Sequence, residues 1–256
     1  MLLIFATLVA LFGLLIGSFL NVVAIRTLKQ ESIAFPPSHC VHCNHRLGVL
    51  DLVPVISYLA LGGKCRYCRK GISSIYPIGE TLTALAYGIL AYHFEVQQEL
   101  IPALVFASIL VVIIVTDLLE MLILNRVIYT GMIILAAIRL FIHPLPLWNY
   151  ALAFIVGGGA ILLISLIGTL ILRKESMGGG DLKLFALVGL VLGIKLVILS
   201  IFIASLLGSL YGLYLIIRGR YERGKYIPFG PFIAAGSFIA YIWGNQIIQW
   251  YLDLVL

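Results

Sequence analysis

Residues 101–117 read IPALVFASILVVIIVTD, sixteen residues without a charge closed by an aspartate. Such a run is long enough to lie across most of a bilayer's hydrocarbon. A carboxylate at that depth costs roughly 2.5–3.5 kcal/mol on insertion scales unless it faces a wet cavity or a partner. Asp117 is therefore a candidate site residue. A second one follows. Gly178-Gly179-Gly180-Asp181 opens another apolar run, Leu182–Leu192. The chain has only four aspartates, Asp51, Asp117, Asp181 and Asp253, and two of them end hydrophobic segments.

The rest of the composition fits that environment. Of 256 residues 62% are hydrophobic and 11% charged, against about 25% charged in a soluble domain. Mean hydropathy is +1.13. The expected fold class is an all-α polytopic membrane protein, about eight transmembrane helices with a cytoplasmic zinc-binding loop. The spans fall at roughly 2–24, 78–94, 100–117, 126–143, 150–172, 182–195, 197–217 and 231–252, near 20 residues each, with the sixth the shortest. Two parts are expected. Residues 1–95 hold the first span and the polar loop at about 26–74, and residues 96–256 form a membrane-embedded core.

Charge sets the orientation. Fifteen of the seventeen Lys and Arg lie in alternate connections: seven from Arg26 to Lys70, then Arg126, then Arg173, Lys174 and Lys183, then Arg218, Arg220, Arg223 and Lys225. Arg139 and Lys195 fall on the other side. The positive-inside rule makes those four connections cytoplasmic, with both termini outside and both aspartates at the cytoplasmic surface. The net charge of +6 is spent on orientation and on anionic membrane lipid, not on nucleic acid. No Lys or Arg precedes Arg26, so the first span reads as a retained helix rather than a cleaved signal.

The loop carries all four cysteines, as Cys40-Val-His-Cys43 and Cys65-Arg-Tyr-Cys68. Each C-x-x-C pair offers two thiolates to one ion, and together they close a tetrahedral zinc site of the structural kind. Disulfides, a redox dithiol and unbound thiols are the alternatives. A cytoplasmic position disfavours disulfides. His39, His42 and His45 are substitute ligands or ordinary loop residues. Leu52–Leu61, apolar within the loop, reads as an interfacial helix or a small core.

The two aspartates suggest a dyad. The glycine run before Asp181 lets a peptide backbone approach closely. Helix dipoles act oppositely on an acid at a helix N-terminus and one at a C-terminus. That asymmetry suits one carboxylate as general base on water and one protonated partner polarising a carbonyl. Plain helix capping is the bland reading. A metal on these acids would need further oxygens, such as those of Glu80, Glu120 and Asn125. Gly157-Gly158-Gly159 reads as a helix-packing feature.

These segments also carry a resemblance. Gly17-Ser18-Phe19-Leu20-Asn21 with Arg26 opens it. Pro36-Pro37-Ser38-His39-Cys40, Pro54-Val55-Ile56-Ser57-Tyr58, Gly63-Lys64-Cys65 and Tyr76-Pro77-Ile78-Gly79-Glu80 continue it. Thr116-Asp117-Leu118, the stretch GGGDLKLFA from Gly178, and Pro228-Phe229-Gly230-Pro231-Phe232 complete it. In this order the motifs resemble the type IV prepilin peptidases, membrane aspartyl proteases of the GxGD class. Leu124 stands where the family often has a helix-breaking proline, and GGGD has a small residue where a bulkier one is common.

The resemblance implies catalysis by Asp117 and Asp181 and a site shaped by Gly178 and Gly180. It implies prepilin or pseudopilin substrates, with a basic leader cut from a hydrophobic helix at the cytoplasmic face. It also implies N-methylation of the new terminus with S-adenosylmethionine, for which the sequence has no G-x-G-x-x-G loop. Glu80 and Glu120 are the acids expected to receive the leader's Lys or Arg. The rival reading is a small ion-coupled transporter with a zinc loop, whose intramembrane acids relay protons. Pilus, secretion and DNA-uptake systems all use such substrates, and no segment signals an oligomeric state.

Overall fold

The structure, a computed structural model, describes residues 1–172, 178–220 and 227–255. Arg173, Lys174, Arg223 and Lys225, used above for orientation, lie outside the described residues. The described chain is helical. In order it runs α1 (Leu2–Leu28), a short 3-10 turn (Val49–Asp51), α2 (Ile56–Ala60), α3 (Ile75–Phe94) and α4 (Leu100–Glu120). Then come α5 (Asn125–Phe141), α6 (Leu147–Leu172), α7 (Gly179–Leu192), α8 (Ile194–Ile217) and α9 (Gly230–Val255). Seven of the eight expected apolar runs each correspond to one helix; the sixth, 182–195, covers α7 and runs past Gly193 into the start of α8. Leu52–Leu61 yields only the five-residue α2. Four described helices are long and apolar enough to cross a membrane: α1, α4, α6 over Leu147–Ile171, and α8.

Two compact units divide the chain, Met1–Thr116 and Asp117–Leu256. In the first, α1 packs along α3. The contact is close because Gly17 faces α3, where a Cβ would sit 2.8 Å from the Glu80 Cα. Asn21 Nδ2 donates to the Tyr76 carbonyl at 2.8 Å. Tyr87 and Ser108 share a 2.8 Å hydroxyl bond that ties α3 to α4.

In the second unit α7 is the buried centre, packed by α5, α6, α8 and α9. From Leu184 to Gly189 every residue is buried. The α6–α7 contact is backbone on backbone. A Cβ on Gly157 would strike the Phe185 carbonyl oxygen, and one on Gly189 the Ala153 carbonyl oxygen. The packing reading of Gly157 is thus correct, whereas a Cβ on Gly159 would meet nothing within 4 Å.

The sixth helix starts and ends earlier than expected. At 14 residues α7 is about 21 Å long, short of a hydrocarbon core of about 30 Å. Its last carbonyls therefore need donors from protein, since lipid offers none. Arg139 supplies one. It is buried, 2% exposed, and donates to Val191 O of α7 at 2.6 Å and to Ile142 O, just past α5, at 3.1 Å. Its guanidinium lies 4.7 Å from the Tyr150 ring centroid. Gly193, at φ +79°, turns the chain, and Asn149 Oδ1 accepts the first amide of α8, Ile194 N, at 3.0 Å.

The two glycine positions make opposite predictions. Gly189→Val should destabilise the protein by about 1–3 kcal/mol or more through overpacking. Gly159→Ala should be neutral or slightly stabilising. Thermal unfolding in detergent measures both, and equal effects would contradict the packing described.

Candidate active site

Asp117 and Asp181 lie 64 positions apart in sequence and come together in the second unit. The carboxylates are close enough for Asp117 to act electrostatically on Asp181. Asp117 is 4% exposed and Asp181 9%. Each meets the start of a helix. Asp181 stands in the first turn of α7, behind the N-cap Gly178, and accepts the Gly178 amide. That is half of a capping box. Asp117, near the C-terminal end of its own helix, accepts the first amide of α9, Gly230 N, at 2.8 Å.

Gly230 was not singled out as a site residue by the sequence. A Cβ there would fall 2.8 Å from Asp117 Oδ2 and 3.1 Å from its Cγ, so only glycine lets the amide reach the acid. The signal in sequence was the Pro228–Phe232 segment. Pro231 in the first turn of α9 lacks an amide of its own, a tolerated helix start. Gly180 packs against a side chain instead: a Cβ there would lie 2.8 Å from the Ile123 Cβ.

The chain enters α5 without the missing proline. α4 stops at Glu120, Met121 takes φ +51°, and Leu124 is an extended N-cap. A left-handed residue does what a helix breaker would do. Lys183 of α7 then donates to Asn125 Oδ1 at 2.8 Å, so Asn125 is engaged by a cation. Among the described residues the only group of three or more His, Cys, Asp or Glu able to share a metal is the four cysteines. Glu120 is exposed at the end of α4. Glu80 is buried in the first unit, where its Oε2 accepts Val55 N at 2.7 Å and Ser18 bonds the same carboxylate. Val55 is β-branched yet has φ +60°, a strained conformation that this bond holds.

In the loop, Cys40, Cys43, Cys65 and Cys68 bring their four sulfurs within 4.8 Å of one another. All are free thiols. The two knuckles repeat one geometry. Cys40 N donates to His45 O and Asn44 N to Cys40 O, while Cys65 N donates to Lys70 O and Arg69 N to Cys65 O. Asn44 and Arg69, each just after the second cysteine, have φ +54° and +60°. Cys40 and Cys68 sulfurs are 3.8 Å apart, the edge of a tetrahedron with metal–sulfur bonds of about 2.3 Å.

The thiols differ in acidity. The His42 and Cys43 amides pull Cys40 down to about 6. The His45 amide acts likewise on Cys43, but burial and the neighbouring thiols push that group up to about 11. One thiolate forms readily and the next is resisted, a conflict that a bound cation removes. Two of the histidines stand aside: His39 contacts the Pro37 carbonyl, and His45 lies against Tyr67, tilted by 32° with 3.6 Å between centroids. Asp51 fastens the knuckles to the 3-10 turn through Arg66 Nε at 2.7 Å and Gly48 N at 3.1 Å.

The chain is similar to known proteins along most of its length. Residues 11–94 match the bacterial peptidase A24 N-terminal domain, and residues 104–213 the type IV leader peptidase family. A prepilin leader peptidase/N-methyltransferase of Bacillus subtilis (strain 168) is 39% identical over 96% of this chain and 97% of its own length. Proteins of the same name from Aeromonas hydrophila (33% identical; 97% and 94% covered) and Pseudomonas aeruginosa (32%; 95% and 92%) are also similar. No solved structure matches the chain.

The loop predicts a pH dependence. Arg66 holds the Asp51 carboxyl below its ordinary value. A depressed acid stabilises the fold above its unfolded pKa of about 3.9, and that contribution fades as pH falls through the lowered folded value. Wild type should therefore be more stable than Asp51→Asn at neutral pH, and the gap should close in acid below about pH 4. Thermal unfolding of both proteins across pH measures it; a gap that widens in acid would contradict the pairing.

Proposed function

The chain belongs to the type IV leader peptidase family, and on that premise we propose that Asp117 and Asp181 are its catalytic pair. It is a peptidase, and its substrates are prepilins, the proteins named in its relatives' descriptions. The observation that carries the reading is the meeting of two buried acids, each at a helix N-terminus and each holding one backbone amide. Two carboxylates so close do not both ionise easily. The ionised one takes a proton from water, and the protonated one donates to the scissile carbonyl oxygen. Water attacks the carbonyl carbon, the C–N bond of the tetrahedral intermediate breaks, and the nitrogen leaves with a proton. The products are the leader's carboxylic acid and a new N-terminal amine, with no covalent enzyme intermediate.

The remaining assignments follow from charge and shape. Eight membrane spans carry both termini outside, with the loop and the acids at the cytoplasmic face of a bacterial membrane. The alternate clustering of Lys and Arg supports that orientation. Residues 1–95 form the loop-bearing part and 96–256 the peptidase core. Gly178 and Gly180 keep the approach to Asp181 narrow and free of side chains. Glu120 receives the leader's basic residues, while Glu80 shapes the loop through Val55. Pseudopilins are alternative substrates of the same form. Cys40, Cys43, Cys65 and Cys68 hold a structural zinc, supported by the 3.8 Å sulfur edge. S-adenosylmethionine, implied by the relatives' second activity, supplies a methyl group to the amine that cleavage exposes. The transporter reading has no support among the relatives.

Mass spectrometry of a prepilin incubated with each purified variant tests the pair. Wild type should cut at the leader junction, and Asp117→Asn and Asp181→Asn should not. Gly230→Ala should slow cleavage by about tenfold or more by displacing Asp117, since roughly ångström-scale misplacement costs up to a hundredfold. Undiminished cleavage by either Asp→Asn variant would show that other residues catalyse. Elemental analysis should find one zinc per wild-type chain and less in Cys65→Ser.

A further inference from the structure

Arg26, at the end of α1, is a buried charge with a cavity beside it. It is 9% exposed. Its Nη1 donates to Ser32 O at 3.0 Å and Ile33 O at 3.2 Å, and its Nη2 to Pro36 O at 2.6 Å. All three partners are neutral carbonyls, and no carboxylate bonds to it among the described residues. A buried cation is ordinarily paired with an anion. The guanidinium keeps further N–H donors in its planar fork, which matches a carboxylate. Arg26 lines a cavity of about 280 Å³ with Ser18, Val22, Ile33 and Leu52. The Ser18 hydroxyl bonds the Glu80 carboxylate. One wall thus offers a cation and another has an acid behind it, with apolar surface between.

We propose that this cavity binds the amino-acid end of S-adenosylmethionine, with the ligand's carboxylate on Arg26 and its ammonium toward Ser18 and Glu80. The inference rests on the methyltransferase part of the proposed function and locates its donor in the first unit. A zwitterion uses both charged walls. The phosphate of an anionic lipid headgroup would use Arg26 alone.

The test separates ligand recognition from folding. The full-length protein, purified in detergent without anionic lipid, is titrated calorimetrically with S-adenosylhomocysteine and with 5′-methylthioadenosine, which lacks the amino-acid end. Wild type should favour S-adenosylhomocysteine by about tenfold or more, the usual size of a charge-assisted contact. Arg26→Gln should erase that preference, and Val22→Trp, which fills the cavity and leaves the Arg26 bonds in place, should weaken S-adenosylhomocysteine. A preference that survives Arg26→Gln, or undiminished binding by Val22→Trp, overturns the assignment. So does a wild type that binds neither ligand, or one whose Arg26 responds only to phosphatidylglycerol in nanodiscs. Prepilin cleavage on the same samples distinguishes the failures: wild-type cleavage without ligand preference removes this site and leaves the peptidase.

Discussion

The amide of Gly230 bonded to the Asp117 carboxylate is the contact on which the second unit's chemistry depends. Asp117 sits at the wrong end of its own helix for an ionised acid, where exposed carbonyls repel negative charge. The N-terminus of α9 reverses that disadvantage by presenting a donor, as helix starts do for anions. Asp181 has the equivalent support from α7. Two helix starts therefore converge on one pair of acids. The fold supplies fixed dipoles in a place where water is scarce and reorganisation would be costly.

Holding those starts in position constrains everything around them. α7 is shorter than the hydrocarbon is thick, so its far end must be satisfied within the protein. Arg139 and Asn149 do this for the carbonyl of Val191 and the amide of Ile194. Backbone contact at Gly157 and Gly189 brings α6 against α7. The helix that carries Asp181 is thus fixed at its base and along its length. The outer surfaces of α6 and α8 are left to lipid, and large apolar side chains such as Leu163, Leu170, Phe202 and Ile217 are well exposed there. In water such surfaces would drive association; in hydrocarbon they are already solvated.

Much of this was legible in the chain. Apolar runs fix helices because backbone in lipid has few alternatives; the run expected at 78–94 is Ile75–Phe94, and that at 150–172 is Leu147–Leu172. The cysteine knuckles were legible because their geometry is local, each closing within six residues. What stayed hidden depends on distant partners. Nothing near Gly230 announces an acid 113 positions earlier. Arg139 reads only as a charge on the side opposite the basic connections; its bond to the Val191 carbonyl depends on a helix 52 positions later. Glu80 reads as a surface acid awaiting a basic leader, yet its carboxylate is turned to Val55. Leu124 lacks the family's proline, and the turn is made three residues earlier by Met121.

The account's central claim is that Asp117 and Asp181 work as one unit rather than as two independent acids. A double-mutant cycle on the prepilin cleavage rate, with Asp117→Asn and Asp181→Asn singly and together, tests it most directly. Residues acting as a unit lose nearly everything when either is removed, so the double variant should be no slower than the worse single variant. Losses that multiply, with each single variant retaining its own fraction of activity, would contradict a shared dyad.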